Sequence, residues 1–248
     1  MFNSSTWFRE WFNSPYYHKL YFEHDEKEAF AFISRLLNTL GPPENAKLLD
    51  VACGRGRHSK LLAAKGFDVT GIDLAPASIA IAQAQENGHL HFYEHDMRLP
   101  FWINYFDYAF NFFTSFGYFR TEREHYNAIR TISNALKPKG IVVIDYLNVH
   151  YAEDHLVHKH EKVIDDVRYY LTKWYDETHF YKKIEIEDER LEAPLEYTER
   201  VAKFSLGDFN DMFAFYGLQL KEVYGDYLLN PYDIKNSPRM IMFAQKTN

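Results

Sequence analysis

The sequence predicts an α/β protein: a doubly wound, seven-stranded, mostly parallel sheet whose last strand is antiparallel, carrying an antiparallel β insert. Three observations predict it. Lys47 to Leu74 reads KLLDVACGRGRHSKLLAAKGFDVTGIDL, in which the apolar run Leu48 to Ala52 is cut off by Gly54-Arg55-Gly56. A helix-like segment to Lys65 follows, then Gly66, then an alternating run from Phe67 to Ile72 that ends on Asp73. That is a strand–turn–helix–strand unit. Short apolar runs then alternate with helical patterns as far as Tyr146, and from about His150 to Ser205 long stretches alternate with period two.

The chain opens on an aromatic, helical pattern. Trp7 and Trp11, Phe8 and Phe12, and Tyr17 and Tyr21 fall four apart and share helix faces. Pro15 separates two short helices, Asp25 is placed to cap a longer one from Glu26 to about Leu40, and Gly41-Pro42-Pro43 ends it. A membrane-surface helix would carry Lys and Arg on its polar face, and here bases are few. Residues 1–44 therefore read as a cap that packs over a crevice.

The crevice is formed by the glycine turn. Glycines let the backbone approach a ligand, and helix N–H groups face it. Asp73, followed by Leu74, stands just past the second strand, where a carboxylate accepts both hydroxyls of a ribose. A dinucleotide site wants a third glycine, which Gly54-Arg55-Gly56-Arg57-His58-Ser59 lacks. Asp50, four residues before Gly54, would repel a pyrophosphate but suits a ligand carrying a sulfonium and an ammonium. Here the sequence resembles the class I S-adenosylmethionine-dependent methyltransferases, whose first motif is D-x-G-x-G-x-G. It departs from them at Ala52, which stands at the first glycine; an alanine there calls for a negative φ. The resemblance implies a Rossmann-like core that binds S-adenosylmethionine with Asp50, Ala52, Gly54, Gly56, Asp73 and Leu74. It also implies that the N-terminal segment closes over the cofactor, with Tyr17 or Tyr21 at its methionine end.

Pro76 starts the next helix, Ala77 to Gln85, and Asn87-Gly88 ends it. A third strand, His89 to Glu94, leads to Asp96-Met97, which by the resemblance accept the adenine amine and read its ring nitrogen. The fourth strand, Phe106 to Phe112, ends where the reacting methyl group should lie, and a carbonyl at Asn111 or Phe112 would accept the cofactor's ammonium. Glu122 to Leu136 is the next helix. The lysine-rich turn Lys137-Pro138-Lys139-Gly140 leads sharply into the fifth strand, Ile141 to Tyr146, as recurs in the family.

In the insert, Val167, Tyr169, Leu171 and Tyr175 alternate with polar or amphipathic residues, as do Phe180, Ile184 and Ile186, with a turn at Asp176-Glu177-Thr178. Pro194 marks another turn, Tyr197 to Leu206 another strand, and Phe209 to Tyr216 a helix. Leu218 to Tyr224 and Met240 to Gln245 close the sheet as an antiparallel pair. The division is a cap at 1–44, a cofactor core at 45–149 and 206–248, and a three- or four-stranded insert at 150–205. By resemblance to small-molecule methyltransferases the insert covers the substrate; long strands also serve as dimer interfaces.

Methyl transfer needs alignment more than a strong catalytic signature. The single cysteine, Cys53, lies in the first motif and not near the fourth strand, where cytosine carbon-5 methylation needs one. The turn Asn111-Phe112-Phe113-Thr114 is not the N-P-P-Y type of the amino methyltransferases of bases. A small-molecule acceptor follows, with Tyr146, His150, His179 and Tyr197 as candidate bases and Arg168 and Arg200 as candidate acid holders. Hydrophobic content is 46%, and 21 Phe and 19 Tyr supply both core and pocket lining. The net charge of −7 is largely local, since residues 151–200 hold 14 acids against 8 bases. Such a surface repels nucleic acid. No metal is expected at His155, His158 and His160, which have no acid or cysteine at ligand spacing. One cysteine, no signal-peptide pattern and no membrane-length apolar run read as a cytoplasmic protein, a monomer or homodimer. A non-catalytic ligand-binding module that uses the insert for a protein partner is the alternative.

Overall fold

The strands β1 (Lys47–Val51), β2 (Asp68–Asp73), β3 (Leu90–Glu94), β4 (Phe106–Asn111) and β5 (Leu136–Leu147) run parallel, while β11 (Arg239–Lys246) is antiparallel to both β5 and β10 (Leu218–Tyr224). The computed structural model describes residues 7–21 and 26–247; the expected cap at Asp25 lies outside them. The seven strands are ordered β10-β11-β5-β4-β1-β2-β3. Chain order reverses between β1 and β4, so a crevice opens outside their carboxyl ends.

Both faces of the sheet are covered, which is why the central strands β1, β4 and β5 are largely buried, while the edge strands β3 and β10 carry exposed polar residues. Helices α3 (Glu26–Leu40), α4 (Arg57–Ala63) and α5 (Pro76–Gln83) lie on one face, over Leu48, Val69, Phe92 and Phe110. The opposite face packs Leu49, Ile144 and Tyr146 against α6 (Glu122–Ala135) and α8 (Leu206–Phe215). Reciprocal capping boxes, Thr121 with Glu124 and Ser205 with Asp208, start α6 and α8. The expected sharp turn at Lys137–Gly140 is instead continuous with β5. Lys139 takes φ 66°, and the pairing with β4 slips between Phe106 and Tyr108, so the backbone bulges rather than reverses.

The insert opens on a helix that the period-two reading missed, α7 (Val149–Asp154), capped by the Asn148 side chain. Four antiparallel strands follow, β6 (Lys159–Ile164), β7 (Val167–Tyr175), β8 (His179–Glu187) and β9 (Leu195–Ala202), paired in that order. Asp176 makes the β7–β8 turn by accepting the Thr178 and His179 N–H groups, each at 2.8 Å.

The N-terminal helices α1 (Trp7–Phe12) and α2 (Pro15–Tyr21) pack on one face of this second sheet. Trp11 and Leu20 join Val167, Tyr169, Leu171, Ile184 and Ile186 in one buried cluster. Trp11 is wholly buried; at ~25 cal/mol per Å2 over roughly 200 Å2, that burial contributes on the order of 5 kcal/mol before entropy. Polar contacts fix the helices' position: Tyr16 donates to Asp188 at 3.0 Å, and Tyr169 donates to the Tyr16 carbonyl at 3.2 Å.

Candidate functional site

The glycine turn is shaped from below by one ring. Phe92 of β3 lies so close that a Cβ on Gly56 would fall 2.6 Å from its Cε1, and a Cβ on Gly71 2.6 Å from its Cδ1. Gly54 and Gly56 take φ of 57° and 78°. Ala52 takes φ 61°, against the expectation of a negative value. The left-handed region costs an alanine roughly 1–2 kcal/mol. Its neighbours hold the path: Cys53 N–H donates to the Ile72 carbonyl at 3.0 Å, and Gly54 N–H to Asp73 Oδ2 at 2.8 Å.

Asp73 also accepts Ala75 N–H on Oδ1 at 2.8 Å. Each oxygen thus keeps a lone pair for a hydroxyl donor. Burial pushes its carboxyl above the ordinary range against these bonds. Leu74 beside it is half-buried. Asp50 lies beneath the turn and accepts the Ser59 hydroxyl at 2.6 Å. Burial pushes it up to about 6, with Ser59 opposing and the charge of Asp73 adding.

Asn111, at the end of β4, is wholly buried and donates through Nδ2 to the Val51 carbonyl at 3.0 Å. Among the described residues its Oδ1 has no partner. A buried acceptor left open beside the β1 turn matches a cationic ligand's need for one. The sequence expectation is a carbonyl at Asn111 or Phe112, not this side chain, and the Phe112 carbonyl is already taken by the Ser115 N–H and hydroxyl, at 3.2 and 2.8 Å. These donors and acceptors fit the ammonium and ribose of S-adenosylmethionine.

Asp96 is clamped by Arg98, whose Nε bonds both carboxylate oxygens at 3.0 and 3.2 Å and whose second arm reaches Glu124 at 2.5 Å. Burial works to raise Asp96, and the Arg98 contacts outweigh it, holding the group below the ordinary range. Met97 follows, its carbonyl accepting the Thr131 hydroxyl.

The roof is built from the cap. Asn13 accepts Ala77 N–H at 2.9 Å and His18 meets Ser78 at 3.2 Å, so α1 and α2 sit on the turn after Asp73. Trp7 and Phe12 contact Tyr118 of the β4 loop, with ring centroids at 5.9 and 5.2 Å. Above them Glu199 of β9 is buried and accepts Trp11 Nε1 and the Tyr21 hydroxyl, both at 2.7 Å. Lys182 of β8 donates to Tyr21 and to Glu199. Tyr21, expected at the methionine end of the cofactor, has its hydroxyl committed to the insert. Tyr17 stands between the two, its hydroxyl pushed up by burial and by the charges of Glu199 and Asp73.

The four candidate bases do not converge. Tyr146 is wholly buried, donates to the Ala202 carbonyl and is pushed far up by burial, which leaves it no proton-accepting role. His150 is exposed on α7, in a separate cavity of about 290 Å3 with Ser205 and Ile234. His179 lines another groove beside Thr121 and Glu177, and burial, helped by Arg200, lowers it. Tyr197 packs against Trp11, ring centroids 4.6 Å apart and planes tilted by 33°, inside the cap cluster. Of the candidate acid holders, Arg168 pairs with Glu161 at 3.1 Å on the outer face of the insert, and Arg200 reaches the Phe119 carbonyl at 3.5 Å. His155 stacks on Tyr151, and among the described residues no three His, Cys, Asp or Glu side chains converge as metal ligands.

The sequence reading missed the buried pair that fixes the β4 loop. Asp145 of β5 accepts Arg239 at 2.7 Å, Phe113 N–H at 2.9 Å and the Tyr227 hydroxyl at 3.1 Å; Arg239 also donates to Thr114 at 2.9 Å. A lone acid in IVVIDYL and a lone base before MIMFA were its signal.

The methyltransferase domain family matches residues 21–223. YqeM of Bacillus subtilis (strain 168), named as a candidate methyltransferase, is 35% identical over 106 residues, 42% of this chain and 43% of that protein. The dTDP-3-amino-3,4,6-trideoxy-alpha-D-glucopyranose N,N-dimethyltransferase of Streptomyces venezuelae is 32% identical over 104 residues, 42% and 43% of the two chains. The chain thus spans about half the length of the curated relatives it matches. An S-adenosylmethionine-dependent methyltransferase of Clostridium acetobutylicum superposes with a TM-score of 0.78 at 16% identity, covering 94% of this chain and 97% of that one.

Proposed function

The chain belongs to the methyltransferase domain family, and we propose that it transfers a methyl group from S-adenosylmethionine to an oxygen or nitrogen of a small molecule. The observation that carries this reading is the open Asn111 Oδ1, buried at the rim of a turn whose acids, Asp50 and Asp73, suit a cationic nucleoside and not a pyrophosphate. The bound cofactor supplies an electrophilic methyl on its sulfonium. Asn111 would accept the ammonium and Asp73 the ribose hydroxyls, with Asp96 and Met97 at the adenine. Trp7, Phe12, Tyr17 and Tyr118 exclude water from the crevice, so an acceptor enters a dry, ordered space. Alignment and desolvation, rather than a strong base, carry the acceleration in this reading.

A small-molecule acceptor is supported by the name of the Streptomyces venezuelae relative, an amino-sugar dimethyltransferase. Among the described residues no helix is long and apolar enough to cross a membrane. The buried thiol of Cys53 supports a reducing, cytoplasmic setting.

Calorimetry tests the cofactor half. Micromolar binding of S-adenosylmethionine is expected, weakened at least about tenfold in Asp73→Ala, a loss of two hydrogen bonds to a charged acceptor. Preference for a nicotinamide nucleotide would overturn it. Formation of S-adenosylhomocysteine with a panel of amines, amino sugars and carboxylic acids tests the transfer itself; no turnover across the panel while the cofactor binds would favour a non-catalytic module.

A further inference from the structure

The insert is acidic by count and cationic on the face that α1 and α2 cover. The register puts Lys173 opposite Lys182 on β7 and β8, and Lys182 opposite Glu199 on β9. It puts Lys162 of β6 opposite Tyr169. Side chains alternate across a strand, so Lys162, Lys173, Lys182 and Glu199 share the face of the buried Tyr169, Leu171, Ile184 and Ile186. Within the strands that face, covered by α1 and α2, carries three lysines against one carboxylate; the buried Asp188 just past β8 also meets α2, and Arg190 neutralises it. The remaining acids of the span lie on the outer face, in the turns and on α7.

Like charges directly opposite each other on neighbouring strands destabilise a sheet. Lys182 is compensated by Glu199 and Tyr21. Among the described residues Lys173 and Lys162 have no carboxylate within ion-pair distance. Burial and the Lys182 charge push Lys173 below the ordinary lysine range. The row adjoins the crevice: Lys182 bonds Tyr21, the Tyr21 and Tyr17 rings are 4.9 Å apart, and the charge of Asp73 acts on the Tyr17 hydroxyl. A molecule placed against the crevice therefore has this excess of positive charge beside it.

We propose that Lys173 and Lys182, with Lys162 behind them, receive an anionic group, phosphate or carboxylate, carried by the methyl acceptor. The inference rests on the methyl-transfer reading above and names the acceptor's chemical class. Glu199 then positions Lys182 and closes the roof, and the acceptor's anion replaces the charge that Lys173 lacks.

The test uses the full chain, alone and saturated with S-adenosylhomocysteine, whose binding is measured separately by calorimetry. Inorganic phosphate is titrated and followed by phosphorus NMR, and acetate is then added as competitor. Saturable phosphate binding is expected, weakened about tenfold in Lys173→Met and retained in Lys173→Arg. Lys173 has no acidic partner to orphan, so its replacement leaves the fold intact, which circular dichroism checks. Displacement by equimolar acetate assigns carboxylate acceptors, and resistance to it assigns phosphate acceptors. Absence of saturable binding by either anion, or equal affinity in Lys173→Met, overturns the proposal. Failure of S-adenosylhomocysteine to bind counts against the cofactor reading alone, because the anion titration of the unloaded protein still decides this one.

Discussion

Asp145 and Arg239 form an ion pair at 2.7 Å in which the carboxylate is wholly buried. They sit on neighbouring antiparallel strands, and the same carboxylate holds the backbone of Phe113, which takes φ 54° in the loop after β4. The pair thus joins the sheet's antiparallel edge to the loop bordering the crevice. Removing one partner from a buried pair costs about 3–5 kcal/mol, because the other charge is left uncompensated. Arg239→Met should lower unfolding stability by that amount in urea titrations. Adding Asp145→Leu to the same chain should recover part of the loss while leaving the Phe113 loop unanchored and cofactor affinity reduced.

Asp50 makes stability depend on pH. Its folded-state carboxyl titrates near 6, above the unfolded range near 4, so between these values the folded chain holds a proton that the unfolded chain has released. The contribution of this group is most favourable below about pH 4 and falls as the pH rises toward 6. Asp50→Asn removes that fall. Measured against wild type at pH 4.5 and pH 7.5, its relative stability should rise by roughly 2 kcal/mol. A flat difference between the two conditions would show that Asp50 is not desolvated.

Ala52→Gly should behave opposite to the usual alanine-to-glycine change. Relief of a left-handed alanine returns roughly 1–2 kcal/mol, and the added freedom of the unfolded chain takes back about 0.5–1. A net gain of up to about 1.5 kcal/mol is expected in denaturant titrations. A loss of the ordinary size would mean that Ala52 does not hold φ 61° in solution.

Trp11 ties the cap to the insert through its 2.7 Å bond to Glu199. Trp11→Phe keeps most of the ring volume and deletes the donor, at a cost of about 1.5–3 kcal/mol for a bond to a charged acceptor. Limited proteolysis should cut the first twenty residues faster in this variant, while α3 onward stays protected.

Much of the core was legible because its signals are local. The glycine turn with Asp50 and Asp73 spans 24 residues, and the period change after Tyr146 and the Asp176 turn each lie within a few. What escaped depends on pairing between distant segments. Nothing in YLTKWY or YKKIEI states that Lys173 and Lys182 face each other; only the turn register does. Tyr146 looked available in sequence and is enclosed by Gly117, Ala202 and Phe209, each from another element. The 14 acids and 8 bases of residues 151–200 say nothing about which face carries them.

Ala52 has one consequence for how the chain assembles. The bonds that impose its backbone come from Ile72 and Asp73, on the strand that follows α4. A fragment ending before residue 68 lacks both and has no reason to leave the negative φ that alanine favours. The turn's conformation depends on β2 being docked beside β1, so the cofactor crevice is a product of sheet formation.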